Sequence, residues 1–130
     1  MQLEIISAGY MLFESGNKTA FARVSQTKPL DRNNSDYVLQ AAQAGKMLGH
    51  KLVYLESGSV AKQTVLYEMI KKVSNNIEIL LIVGGGIIDL QGIQKAYESG
   101  ADLVVIGNVF ENDSDFFLIK TCKDVVRQRL

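Results

Sequence analysis

Two apolar stretches of this sequence each end in glycine where the chain turns toward a predicted helix. Residues 80–83 lead into Gly84-Gly85-Gly86, and residues 103–106 lead into Gly107-Asn108. Glycine has no Cβ, so main-chain N–H groups can approach a ligand closely there. The N-terminus of a following helix adds unpaired N–H groups and a partial positive charge. Two such loops side by side would bind an anion, most naturally a phosphate.

The glycine triplet matches neither of two common nucleotide-binding motifs. No Gly-Lys-Ser/Thr follows it at the P-loop spacing, and position 89 is Asp where a dinucleotide motif would place a third glycine. Alone, the triplet can equally be a tight turn, and that interpretation stays open. Its combination with Gly107-Asn108 one strand later favours phosphate binding.

A third polar segment, Tyr54-Leu55-Glu56-Ser57-Gly58-Ser59, ends the strand before the glycine triplet. Tyr54 and Glu56 alternate with Leu55, so both side chains point to one face of the strand. Facing a barrel interior, a phenol and a carboxylate could bind the hydroxyls of a polyol, and Ser57, Gly58 and Ser59 could donate to a phosphate. The alternative is an exposed glutamate beside a capping serine, and spacing alone does not decide between the two.

The composition limits the class of protein. The chain has 130 residues, 47% of them hydrophobic, with 14 basic and 14 acidic side chains. This balance gives no general electrostatic reason to bind nucleic acid or an anionic membrane. One cysteine and one histidine exclude an internal disulfide framework and a Cys/His zinc site. We expect a single domain, 1–130, in a soluble cytoplasmic protein without a transmembrane segment.

Hydrophobic periodicity predicts four strand–helix units. The expected strands cover residues 9–13, 51–55, 77–83 and 101–106, and the expected helices cover 35–49, 61–74, 89–99 and 114–129. Ser35 and Asp89 are the expected N-caps, and Gly49 is a good residue to follow a helix. Gly16-Asn17 suits a tight turn, so residues 19–24 are expected to return as the second strand of an inserted hairpin.

The strands are apolar at consecutive positions, which is typical of a parallel, helix-covered sheet. Each unit has roughly the length of the repeat in a (β/α)₈ barrel, and four units make half of one. The predicted fold is therefore α/β, half of a TIM-type barrel with a hairpin inserted after the first strand. An open doubly wound sheet is the alternative. The glycine-ended last strands favour the barrel, whose phosphate site commonly follows its last two strands.

Other reactive side chains have simpler interpretations. Asp102 precedes its strand and is expected at the opposite, structural end of the sheet, while Glu111 follows Asn108 and is expected to be solvated. Cys122 has the spacing of a core residue on a helix. His50 follows Gly49 and is expected at the surface or as a cap.

Three segments resemble the geranylgeranylglyceryl phosphate synthase family of PcrB-type prenyltransferases: residues 51–59, residues 81–87 and Val105-Ile106-Gly107-Asn108. Segments around Tyr10, Pro29 and Gly49 are similar to that family too, so the resemblance covers essentially the whole chain. Family members are (β/α)₈-type barrels that join sn-glycerol 1-phosphate to a polyprenyl diphosphate with Mg²⁺.

The resemblance implies a role for each motif residue. Tyr54 and Glu56 would contact the glycerol, and Glu56 would be the catalytic group that orients or deprotonates the attacking hydroxyl. The phosphate would be held by Ser59 and by the glycine-ended loops. The implied substrate-binding set is Tyr54, Leu55, Glu56, Ser57, Gly58, Ser59, Gly84, Gly85, Gly107 and Asn108.

The sequence departs from the family pattern in two places. Val60 stands where the family usually has a second glycine, which would stiffen the loop. The family's N-terminal half, with its acidic Mg²⁺ and diphosphate ligand, has no counterpart here, so we expect no metal site or cofactor in this chain, although Mg²⁺ is implied for the full-length family. The expected ligands are phosphate or sn-glycerol 1-phosphate.

Two hypotheses follow from this incomplete resemblance. In the first, the chain is the glycerol-phosphate-binding part of a prenyltransferase that needs a second polypeptide. In the second, it is a standalone half-barrel that pairs with itself and only binds phosphate. A half-barrel exposes an apolar interior and two unpaired edges, so both hypotheses predict association, most simply as a homodimer.

Overall fold

The computed structural model describes residues 2–16, 20–58 and 61–107, together with 109 and 111. Within these residues the chain begins with a strand and a short helix, and helices and strands then alternate. The elements are β1 (Ala8–Leu12), α1 (Ala20–Ser25), α2 (Ser35–Met47), β2 (Leu52–Glu56), α3 (Tyr67–Ser74), β3 (Leu80–Gly84), α4 (Leu90–Glu98) and β4 (Leu103–Val105). The helix predicted over 114–129, with Cys122, lies outside the described residues.

The four strands form one parallel sheet in the order β1-β2-β3-β4. Every neighbouring pair is parallel, so the chain must cross from the end of each strand back to the start of the next, and a helix lies in each crossover. This arrangement is half of a (β/α)₈ TIM-type barrel, as the sequence predicts.

The register places side chains of neighbouring strands in rows across the sheet. Tyr10 is paired with Tyr54, and Tyr54 is paired with Ile82. One row closer to the carboxyl ends, Glu56 is paired with Gly84. Because side chains alternate along a strand, both rows lie on the same face of the sheet. The Tyr54 and Glu56 side chains therefore share a face, which agrees with the prediction.

The opposite face carries the hydrophobic core. Val53, Leu55, Leu81 and Val83 have at most 1% of their surface exposed. They pack against apolar side chains of the three longer helices, namely Val38, Ala42, Met69, Ile70, Val73, Ile93 and Ala96. Burial of this surface is the main force that holds the helices on the sheet.

The face that carries Tyr54 and Glu56 is partly bare. Tyr10 is 40% exposed, Leu80 and Leu103 are each 51% exposed, and Val105 is 44% exposed. The sequence predicts strands buried on both faces, whereas among the described residues this second face is buried only in part, at Leu12, Glu56 and Gly84 near the carboxyl ends. Large apolar side chains are thus left in contact with water.

The predicted hairpin is wrong. Residues Ala20–Ser25 form helix α1 where a returning strand was expected, although Gly16 has the positive φ of +81° that the turn requires. A returning strand would need a free edge of β1, but both edges are occupied at its carboxyl end. The N–H of Phe13 donates to Glu56, and Leu30 exchanges hydrogen bonds with Leu12 and Glu14.

Two helix starts also differ from the prediction. Asn34, and not Ser35, is the N-cap of α2, because its side chain accepts the N–H of Tyr37 at 3.1 Å. Helix α3 begins at Tyr67, six residues later than predicted. The preceding segment includes the buried Val65, and Leu66 is extended. Asp89 caps α4 as predicted, accepting the N–H of Gly92 at 2.7 Å.

Candidate phosphate and glycerol site

The loop after β2 is fixed by the carboxylate of Glu56. This side chain is buried, and its Oε1 accepts the N–H of Gly58 at 2.7 Å. Gly58 has a φ of +94°, which favours glycine. The N–H of the buried Ser57 donates to the carbonyl of Gly84 at 3.1 Å. The loop after β2 is therefore hydrogen-bonded to the end of β3, where the glycine triplet begins.

Two tyrosines lie beside this carboxylate. The hydroxyl of Tyr54 donates to Glu56, and burial, this hydrogen bond and the negative charge together raise the pKa of Tyr54 well above its ordinary value. The Tyr10 ring meets the Tyr54 ring edge-on, with 5.1 Å between centroids. Burial, and then the charge of Glu56, raises the pKa of Tyr10 to about 12. Both phenols therefore carry their protons at neutral pH.

The first two glycines of the triplet leave room for these groups. A Cβ on Gly84 would lie 2.6 Å from the Tyr54 hydroxyl and 2.7 Å from Glu56 Oε2. A Cβ on Gly85 would lie 2.5 Å from Glu56 Oε1 and 2.8 Å from the nitrogen of Gly58, and Gly85 has a φ of +83°. Only glycine fits these two positions without a shift of the surrounding atoms. The polar end of β2 and the triplet therefore meet at the carboxyl ends of adjacent strands.

The remaining predicted site residues lie in different surroundings. Leu55 points into the core on the helix-covered face, so its side chain is directed away from Tyr54 and Glu56. Gly107 follows β4 and is exposed, and no described atom lies within 4 Å of the place where its Cβ would be. Ser59 and Asn108 lie outside the described residues.

The first turn of α4 contributes less to anion binding than the sequence suggests. Asp89 already accepts the N–H of Gly92, one of the donors that an uncapped helix would offer to a ligand. The aspartate also brings a negative charge to this helix end. Positive potential for a phosphate at the triplet must therefore come largely from other groups.

Two polar residues lie away from these loops. Asp102 Oδ2 accepts the N–H of Leu81 at 2.9 Å, near the amino end of β3, so it belongs to the structural end of the sheet as predicted. His50 is half-buried, and its Cδ2 lies 3.2 Å from the position of a Cβ on Gly45. It is thus packed between elements more closely than the predicted surface position implies.

Sequence reasoning missed Tyr10 as a neighbour of the site. The only signal was its place in a strand that pairs with β2, and register cannot be read from one strand alone.

The described part of the chain contains no group of three or more His, Cys, Asp or Glu side chains placed to hold a metal ion. None of its helices is both long enough and apolar enough to cross a membrane.

A family model described as the PcrB family matches residues 1–126. The chain belongs to the PcrB family. It is 66% identical over 115 residues to the geranylgeranylglyceryl phosphate synthase of Flavobacterium johnsoniae, covering 88% of this chain and 47% of that protein. It is 51% identical over 110 residues to the protein of the same name from Zunongwangia profunda, covering 85% and 47%.

Solved structures show the same relationship. The wild-type enzyme from Thermoplasma volcanium has a TM-score of 0.79 at 32% identity, covering 88% of this chain and 45% of that one. The synthase from Thermoplasma acidophilum, solved in complex with its substrate sn-glycerol-1-phosphate, has a TM-score of 0.84 at 28% identity, covering 98% and 50%. The chain thus spans about half the length of the PcrB-family relatives that it matches.

Proposed function

We propose that this chain forms the sn-glycerol 1-phosphate-binding half of a geranylgeranylglyceryl phosphate synthase-like prenyltransferase. The observation that carries the proposal is the convergence of Glu56, Gly58 and Gly85, where the 2.7 Å hydrogen bond and the absence of a Cβ bring a carboxylate and two backbone loops together. The homologous Thermoplasma acidophilum enzyme in complex with sn-glycerol-1-phosphate supports the same ligand.

Glu56 and Tyr54 would bind the glycerol part of the ligand. A carboxylate accepts hydrogen bonds from hydroxyl groups. The hydrogen bond between the Tyr54 phenol and Glu56 keeps the carboxylate oriented. In prenyl transfer Glu56 would orient the attacking hydroxyl or remove its proton, a role typically worth about 10²–10⁴-fold in rate. The leaving diphosphate would depart from the polyprenyl carbon as the new C–O bond forms.

The glycine-ended loops would bind the phosphate. Backbone N–H groups around Gly85 and Gly107, with Ser59 and Asn108, would donate to the phosphate oxygens. We place no Mg²⁺ ligand on the described residues, where acidic side chains do not cluster. Ionisation of the polyprenyl diphosphate with Mg²⁺ is therefore proposed only for the whole family site, and no step of it is assigned to this chain.

A second candidate is a homodimeric half-barrel that binds phosphate without catalysis. The exposed Tyr10, Leu80, Leu103 and Val105 on the partly bare sheet face favour association with another half-barrel. Two copies could close an eight-unit barrel or stack their sheets.

The cytoplasmic location expected from the sequence also stays a prediction.

Calorimetric titration with sn-glycerol 1-phosphate and with inorganic phosphate tests the proposal. The wild-type chain should bind both ligands saturably. Gly85→Asp should abolish binding, because it places a carboxylate beside Glu56. Gly107→Asp provides a second test in open surroundings, where an added Cβ would meet no described atom within 4 Å. Gln43→Asp, at an exposed position in α2, is the matched control for the added charge.

The outcomes separate the two candidates. Glycerol-phosphate binding that exceeds phosphate binding supports the synthase-like site, and assays of prenyl transfer would follow. Equal affinity for both ligands favours the phosphate-only half-barrel. If the folded wild-type chain binds neither ligand, both candidates are wrong for this chain alone.

A further inference from the structure

The phosphate site proposed above has little positive charge of its own. Its described residues Ser57, Gly58, Gly84, Gly85 and Gly107 are neutral, and Glu56 beside them is acidic. A bound phosphate would therefore meet a carboxylate close by, in surroundings where charges interact more strongly than in water. A cationic side chain attached to these loops would offset that repulsion.

Arg32 is attached to one of the loops. It precedes α2 and is half-buried, and its Nη2 donates to the carbonyl of Thr64 at 3.2 Å. Thirty-two residues separate the two in sequence, so the hydrogen bond joins the entry to α2 with the segment before α3. The guanidinium of Arg32 carries a positive charge and several N–H donors.

Thr64 in turn lies against the glycine triplet. A Cβ on Gly86 would lie 2.8 Å from the nitrogen of Thr64 and 2.8 Å from the carbonyl carbon of Gln63. Gly86 has a φ of +69°, so its backbone conformation and its contact both require glycine. A continuous path of contacts therefore runs from Arg32 through Thr64 to Gly86.

The guanidinium has hydrogen-bonding capacity left over. Arg32 Nη1 and Thr64 Oγ1 are both buried, and neither has a partner among the described residues. Buried polar groups without partners are unfavourable and often mark a site that a ligand or ordered water completes. Here they belong to the two residues that connect α2 to the triplet.

We propose that Arg32 is a positioning residue of the phosphate site. It holds the Gln63–Thr64 backbone against Gly86, which sets the shape of the triplet, and it supplies positive charge to the loop. The choice of phosphate as the ligand rests on the function proposed above, whereas the bracing of the triplet does not.

Three variants separate the charge from the hydrogen bond. Arg32→Lys keeps the charge, and Arg32→Gln keeps a donor for the Thr64 carbonyl without the charge. Arg23→Gln makes the same change at an exposed position in α1 and serves as the control. Circular dichroism and urea unfolding of each variant show whether the fold is retained.

The first readout needs no ligand. Amide hydrogen exchange at Thr64 and Gly86 reports how firmly the segment is held. We expect exchange there to be fastest in Arg32→Gln, slower in Arg32→Lys, and as in wild type for Arg23→Gln. Wild-type exchange at both positions in Arg32→Gln would overturn the bracing role.

The second readout is titration with inorganic phosphate and sn-glycerol 1-phosphate. In Arg32→Gln, the loss of one charge should weaken the binding of both ligands about tenfold. The factor should be the same for both, because they share the phosphate group. Arg32→Lys should recover most of that loss. Equal loss of affinity in Arg32→Lys and Arg32→Gln would overturn the electrostatic role. If wild type binds neither ligand, the proposed function fails, and hydrogen exchange alone still decides whether Arg32 braces the triplet.

Discussion

Glu56 Oε1 lies 2.5 Å from the position that a Cβ on Gly85 would occupy. Real Cβ atoms do not approach an oxygen so closely, so any side chain at Gly85 must displace the carboxylate or the loop. The same oxygen accepts the N–H of Gly58 at 2.7 Å, so the displacement would also break that hydrogen bond. The conformation of both loops thus depends on one absent methyl group.

Gly85→Ala should therefore destabilise the folded chain. A side chain at a φ of +83° is strained by roughly 1–3 kcal/mol, and the collision with Glu56 adds to this value. Urea unfolding measures the free energy of unfolding directly. Gly107→Ala is the matched control and should change it by less than about 0.5 kcal/mol, since its surroundings are open. Equal effects of the two variants would contradict the crowding at Gly85.

Glu56→Gln should separate the two parts of the ligand. Glutamine keeps an oxygen for the Gly58 N–H, so the loop should stay in place. A glutamine amide accepts a weaker hydrogen bond from a hydroxyl group than a carboxylate does, so affinity for sn-glycerol 1-phosphate should fall roughly tenfold. Affinity for inorganic phosphate should not fall, because a repulsive charge is removed. Calorimetry with both ligands measures this, and an equal loss for both would show that Glu56 acts only through the loop.

The two tyrosines should make the stability of the folded chain depend on pH in the alkaline range. The folded chain holds the phenol protons of Tyr10 and Tyr54 more tightly than the unfolded chain does, because burial and Glu56 raise both pKa values, that of Tyr10 to about 12. Their contribution to stability is complete below a pH of about 10, the pKa of an unfolded tyrosine. It is lost as the pH rises toward 12 and beyond.

Urea unfolding between pH 8 and 12 should therefore show a decline that Tyr54→Phe makes shallower. Spectrophotometric titration of the wild type against each Phe variant assigns the individual phenols. Glu56→Gln should lower the pKa of Tyr54 and of Tyr10 without restoring their ordinary values, since burial is the largest cause of both shifts. An unchanged titration in Glu56→Gln would argue against the contact between Tyr54 and Glu56.

Local rules account for much of what the sequence predicts correctly. The shared face of Tyr54 and Glu56 follows from the alternation of side chains along a strand. The Asp89 cap follows from an aspartate three residues before Gly92. These features depend on neighbours in sequence, and the structure has both.

The failures depend on contacts between distant residues. The predicted hairpin over 19–24 has no free edge of β1 to pair with, because Leu30 already occupies that edge. No pattern near residue 20 reveals this contact. The hydrogen bond from Arg32 to Thr64 spans a helix and a strand, so spacing could not indicate it. Tyr10 became a neighbour of Tyr54 only when β1 and β2 paired in one particular register.

The partly bare sheet face predicts self-association of the isolated chain. Leu103 is 51% exposed on β4, which pairs only with β3 among the described strands and so lies at the edge of the sheet. Exposed apolar side chains beside an unpaired strand edge favour contact with another chain. Sedimentation velocity at micromolar concentration should therefore detect dimers or larger species.

Leu103→Lys should shift this equilibrium toward monomer, because a charged side chain is unfavourable in an apolar interface. Met47→Lys is the control, since Met47 is 88% exposed at the end of α2, away from the sheet face. Both variants add one charge, so a general electrostatic effect would appear in both. A wild-type chain that stays monomeric would exclude association through this face, and equal dissociation by both variants would place the contact elsewhere.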